Sequence, residues 1–169
     1  MKNLIKTKPA ILVALIAICL LAVILVLRSF PVYRIATFDT SSYFDSKELS
    51  MLAYAGTPSD RSIGQDVLKK AANAFSDISH SQEQNKETHG LLSRYTTPIE
   101  RGAVSEKHTL KLLSAHFDSD SGYMWVHYSA ATYDANGNPI SQSSDVSSLW
   151  RVEKNEAGEW VVVGIKEHP

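Results

Sequence analysis

Eighteen consecutive positions, residues 10–27, carry no polar side chain apart from the thiol of Cys19. A helix of that length reaches about 27 Å, close to the hydrocarbon thickness of a bilayer. A helix packed on the core of a small domain would show a polar face, and this one has none. The run therefore predicts a membrane-spanning helix over residues 10–27. Pro9 suits its first turn, where the missing N–H leaves no bond unmade.

Lys2, Lys6 and Lys8 ahead of the run resemble the charged start of a secretory signal. The apolar stretch, however, exceeds the roughly 7–15 residues of a signal core, and no small-x-small site follows in Arg28-Ser-Phe-Pro-Val-Tyr-Arg34. Ile18 precedes Cys19 where a lipoprotein signal has a small residue. The segment reads as an uncleaved anchor. Three lysines and the α-amine lie before it, against Arg28 and Arg34 after it, so the short amino-terminal side is expected in the cytoplasm. The chain then divides into a cytoplasmic tail (1–9), a spanning helix (10–27), a connector with a short helix (28–57) and an extracytoplasmic domain (58–169).

Residues 28–169 hold all 18 acidic and 14 of the 17 basic residues, a net charge of about −4. That balance argues against a nucleic-acid surface, which needs clustered positive charge. The same residues contain no cysteine, which excludes disulfides and thiol chemistry from the domain.

Asp45-Ser-Lys-Glu48 has the form of a capping box ahead of Leu49, Met51, Leu52 and Tyr54, and predicts a short helix. Gly56-Thr-Pro-Ser-Asp60 ends it and caps the next. Over residues 59–78, Ile63, Val67, Leu68, Ala71, Phe75 and Ile78 recur at helical spacing, while Asp66, Lys69, Lys70 and Asp77 fall on the other side. This is a helix laid against a sheet. Residues 80–90 are polar throughout and read as a loop; residues 91–95 read as a short strand ended by Thr96-Thr-Pro98.

From Val104 the period becomes two. Leu110, Leu112, Met124, Val126, Tyr128 and Ala130 share one strand face; Leu113, Ala115, Phe117, Tyr123, Trp125 and His127 share the other. Residues 118–122, Asp134-Ala-Asn-Gly-Asn138 and residues 154–158 are the turns, Asn-Gly being the strongest short hairpin signal. The expected fold is α+β: a helix on a four-stranded antiparallel meander. One helix covers one sheet face well. The other face is expected to be covered by a partner, a second copy or residues 49–54, or to line a pocket. Trp125, Trp150 and Trp160 are expected in the core, Trp160 with the most exposure.

The pattern Gly122-Tyr-Met-Trp125-Val-His-Tyr, then Leu149-Trp150-Arg151-Val-Glu, then Gly158-Glu-Trp160-Val-Val-Val resembles the last three strands of NTF2-like domains. The resemblance covers about residues 59–166 and implies a curved sheet with helices in its concavity. It departs from the usual plan, since one or two helices are legible where three are common, and a cystatin-like arrangement stays open. An anchor followed by such a domain is similar in layout to VirB8-type components of conjugation and secretion machines.

Asp118-x-Asp120-x-Gly122 resembles the start of a calcium loop but lacks the third oxygen ligand and the closing acid, so it reads as a hairpin turn. The six histidines have no metal-binding spacing, and His116 and His127 are expected on opposite faces, so no metal site is assigned. No Gly-x-Ser-x-Gly or phosphate-binding loop is present. No catalytic residue and no cofactor is nominated. The NTF2-like resemblance implies an acidic base in an apolar cone, for which Asp145 is the nearest candidate. With Tyr123, Trp125 and His127 it completes the expected ligand-binding set. Two functions stand at this point. One is an anchored binding or assembly domain whose partners are the bilayer and a membrane-complex protein or a second copy. The alternative is an NTF2-like enzyme or small-ligand carrier with an apolar pocket between helix and sheet.

Overall fold

The structure, a computed structural model, describes residues 13, 15–23, 43–54 and 56–167. It divides into two compact units, Met1–Ser42 and Tyr43–Pro169. In the first, residues 13 and 15–23 are helical, and Leu15, Ile18, Leu20 and Leu21 are all exposed. Among the described residues no helix is long and apolar enough to cross a membrane. The ends of the expected span (10–12, 14 and 24–27), the tail 1–9 and residues 28–42 lie outside the described residues.

The second unit opens with three helices: α1 (Ser46–Leu52), α2 (Pro58–Ser76) and α3 (Gln82–His89). Each begins with a reciprocal capping box, between Asp45 and Glu48, Thr57 and Asp60, and Ser81 and Gln84. Two short 3-10 turns follow, Gly90–Tyr95 and Ile99–Arg101, and then four strands: β1 (Ser105–Phe117), β2 (Ser121–Tyr133), β3 (Pro139–Lys154) and β4 (Trp160–Glu167). The strands pair antiparallel in the order β1-β2-β3-β4, so the expected meander is present. Asp134 shapes the second hairpin: its Oδ1 accepts from the N–H groups of Asn136 and Asn138 at 2.9 and 2.8 Å, and Gly137 takes φ 82°.

Two local expectations are corrected. Residues 82–89 are helix α3, not loop. The segment Gln-Glu-Gln-Asn-Lys-Glu-Thr-His has no apolar stripe to reveal it. Its hold comes from the Ser81–Gln84 box and from buried Asn85, whose Nδ2 donates to the His80 carbonyl at 3.3 Å. Residues 91–95 lie in a 3-10 turn and not in a strand.

The larger correction concerns the faces. The register of β1 on β2 slips between Leu112 and Ser114. That bulge carries Ala115 and Phe117 onto the face of Leu110, Leu112, Met124 and Val126, where α2 packs. His116 correspondingly joins His127 on the opposite face, not across from it. Val67, Leu68, Ala71 and Ala74 of α2 meet Trp150, Val152 and Val162 in the same core. Each large apolar side chain fully buried there is worth about 1.5–3 kcal/mol. Gly64 allows the close approach: a Cβ there would lie 2.8 Å from a Leu112 methyl and 3.3 Å from the Ala115 Cβ.

Asp60 fastens the start of α2 to the end of β1. Its buried carboxylate accepts from the Thr57 N–H and hydroxyl, both at 2.8 Å, and from the Phe117 N–H at 2.9 Å. Burial pushes its pKa up, but these donors outweigh that and leave it below the usual carboxylate value.

The second sheet face is covered from within the chain. Trp125 is fully buried beneath Phe44, with ring centroids 4.6 Å apart, and its Nε1–H donates to the Glu48 carbonyl at 3.1 Å. Leu52 is buried beside it, and the Ser114 hydroxyl donates to the Met51 carbonyl at 3.0 Å. Lys166 of β4 reaches the Glu48 carboxylate at 2.6 and 2.7 Å. Beyond α1 this face turns polar, with Thr109 and Lys111 exposed and His127 and Ser147 half-buried. No bare apolar face remains among these residues. The tryptophans follow expectation: Trp125 and Trp150 are fully buried, and Trp160 is half-buried against Phe117.

Candidate functional site

The α2 side of the sheet changes character along its length. Near the middle it bears Met124, Val126, Tyr128 and Trp150, which fill the space under α2. Beyond Tyr128 come Ala130 and Thr132 on β2, facing Ser143 and Ser141 on β3. These side chains are small, and α2 has already ended at Ser76. The roof over them is the pair of 3-10 turns. It is held by the Thr97 N–H on the Asp77 carbonyl at 3.2 Å and the Ile99 N–H on the His80 carbonyl at 3.0 Å. Between roof and sheet lies a cavity of about 250 Å³.

One wall is aromatic. Phe75 stacks on Tyr95 at 4.4 Å, and Tyr128 stands edge-on to both at 5.1 and 5.3 Å. Glu167 closes the wall from the end of β4, its side chain only 12% exposed. The Tyr95 hydroxyl donates to the Glu167 carboxylate, and Arg94 pairs with it at 3.0 Å. Burial first, then the charge of Glu167, push the Tyr95 and Tyr128 hydroxyls well above the ordinary phenol range. Both therefore stay protonated and present donors to that carboxylate. The remaining lining is polar, with the hydroxyls of Thr97 and Thr132 hydrogen-bonded at 3.3 Å. The lining of this cavity is thus mostly polar outside its aromatic wall.

The four residues expected to bind ligand lie away from this cavity, on the α1 side of the sheet. Tyr123, Trp125 and His127 do share that face. Tyr123 sits near His116, with ring centroids 5.7 Å apart. Trp125 is sealed beneath Phe44. Asp145 is brought to His127: its Oδ1 lies 3.4 Å from His127 Nε2, while Ser147 Oγ lies 3.4 Å from His127 Nδ1. A second bulge makes this contact. Residues 144 and 145 together stand opposite Ser129 in the β2–β3 pairing, and Asp145 adopts φ 54° with its N–H on the Ser129 hydroxyl at 2.9 Å. The order serine, histidine, aspartate resembles a hydrolytic relay. Nucleophile and base must come within about 2.6–3.2 Å, and both links here are longer. Asp145 is also 69% exposed.

Two carboxylates escape the sequence reading. Asp77, placed there on the solvent side of α2, is the C-cap of that helix with a side chain only 9% exposed. It accepts from His89 Nε2 and His80 Nδ1, each at 2.8 Å, and from the Ser79 N–H at 3.2 Å. Burial raises its pKa, but the two histidines and that N–H outweigh it and bring Asp77 down to about 2. This knot ties the end of α2 to the end of α3, where the cavity roof begins. Glu167 is the other, and alternation along β4 gives it the wrong face. From Trp160 and Val162 a period of two continues to Lys166, but the register slips between Val162 and Gly164. Glu167 turns inward as a result and Lys166 outward.

A larger groove, about 530 Å³, runs between α2, α3 and β4, with Leu91 and Trp160 on its walls. Among the described residues no group of three or more His, Cys, Asp or Glu side chains could hold a metal ion. No protein-family model matches the chain, and no curated protein matches it. The α+β architecture, helices on a curved four-stranded antiparallel sheet, is compatible with an NTF2-like fold.

Proposed function

We propose that this chain is a membrane-tethered binding module of NTF2-like architecture, which takes a small ligand in the cavity under residues 90–101. One observation carries the reading. A single chain encloses a concave space with an aromatic wall, a set of hydroxyls and a nearly buried carboxylate whose partners hold that wall in place. The assembly reading drew its force from an uncovered apolar sheet face, and Phe44 and α1 occupy the apolar part of that face. Residues 10–27 supply the tether, and the lysines before them favour a domain outside the membrane.

Filling the cavity tests this. Ala130 lies on its floor, so Ala130→Phe places a ring in the space with little to displace. A fragment screen by nuclear magnetic resonance on the full chain in micelles is expected to give hits that shift Thr97, Ala130 and Ala131. The variant should lose those hits while its other resonances stay in place. Hits that survive the substitution, or that map to Tyr123 and His127, would sink the proposal.

A further inference from the structure

The charges around the cavity narrow the ligand further, on the footing of the binding reading above. Arg94 and Arg101 line it with Glu106 and Glu167, while Lys107, paired with Ala131, sends its side chain to the opposite sheet face, 5.8 Å from the Tyr133 ring centre. Both acids are already engaged. Glu167 takes Arg94 and the Tyr95 hydroxyl; Glu106 accepts from the Ser76 hydroxyl at 3.0 Å and contacts His108 Nδ1 at 2.8 Å. Of the two guanidiniums, Arg101 alone has no carboxylate partner. It spends one N–H on a neutral acceptor, the Ile140 carbonyl at 3.1 Å. Among the described residues neither Arg101 nor Lys107 forms an ion pair.

From this arrangement we infer that the ligand carries a carboxylate, bound by the free N–H groups of Arg101, with its body against the Tyr95–Tyr128 wall. A guanidinium offers a planar fork that matches a carboxylate in two parallel hydrogen bonds, a geometry that lysine cannot supply. In a partly closed site such bonds act at reduced dielectric and are worth more than on open surface. The cavity volume, about 250 Å³, limits the body to roughly one ring or a short chain. The Thr97–Thr132 hydroxyl pair can meet polar substituents on it.

Benzoate and benzyl alcohol are the probes, since they share a ring and differ in charge. Each is titrated into the full chain in micelles while the Thr97 and Ala130 methyl resonances are followed. Benzoate is expected to bind about tenfold more tightly than benzyl alcohol, one charge-assisted bond's worth. Arg101→Gln should remove that advantage and leave benzyl alcohol unchanged; Arg101→Lys should restore only part of it. Added salt should weaken benzoate alone. Equal binding of the two probes, unmoved by Arg101→Gln, overturns the carboxylate inference and leaves the cavity reading standing. If neither probe shifts those methyls, both fall. Benzoate shifts confined to the groove by Leu91 and Trp160 would also overturn both.

Discussion

Asp77 shows how far a single side chain can depart from its place in the sequence pattern. Its position on α2 marks it as a solvated acid, yet its carboxylate is shared by His80 and His89, the second of them twelve residues away. No periodicity registers such a contact, because it depends on α3 folding back. The capping box at Asp45–Glu48, by contrast, is legible because it closes within four residues and leads into apolar positions. The folded pKa of Asp77, about 2, lies below the ordinary value near 3.8. A carboxylate depressed in this way stabilises the fold above its unfolded pKa and loses that contribution as pH falls through its folded one. Acid unfolding of the full chain should therefore steepen between about pH 4 and pH 2. Asp77→Asn should be less stable at pH 6 and should flatten that part of the curve, measured by urea midpoints at each pH. Equal slopes for the two proteins would contradict the role given to the two histidines.

At the scale of elements, the strands and α2 are legible and the bulges are not. Alternation and Asn-Gly locate β1 through β4, because a two-residue period and a turn are both local signals. A bulge adds one residue without changing composition, and every assignment beyond it inverts. That single cause misplaced Ala115 and Phe117 and set His116 opposite His127. The cavity was unreadable for the same reason, with its roof in 3-10 turns that carry no pattern of their own. The approach of α2 to β1 gives a check on the observed register. Gly64→Val should destabilise by about 1–3 kcal/mol, since Leu112 and Ala115 leave no room for a branched side chain. A denaturation midpoint unchanged in that variant would mean that Gly64 does not face the bulged strand.

At the scale of the whole molecule, the anchor and the domain make separate claims. The proposed span 10–27 predicts that the purified protein retains its first residues, as intact mass spectrometry would read. Protease added to cells whose outer barriers have been removed should degrade the domain. A mature start near Arg28, or full protection, would overturn the anchor or its orientation respectively. Within the domain, neighbouring residues at the end of β4 look in opposite directions. Lys166 grips Glu48 of α1, the first helix after the chain leaves residue 42, and Glu167 grips Arg94 and Tyr95 of the cavity wall. Two sites biased through one shared element affect each other equally, whichever is perturbed first. We expect Lys166→Met, which loosens α1, to weaken benzoate binding, and benzoate to slow amide exchange in α1. Unaltered exchange and affinity would show the two grips to be independent. Coupled, they make the strand end a clutch: a pull on α1 is felt at the ligand, and a bound ligand stiffens α1 in return.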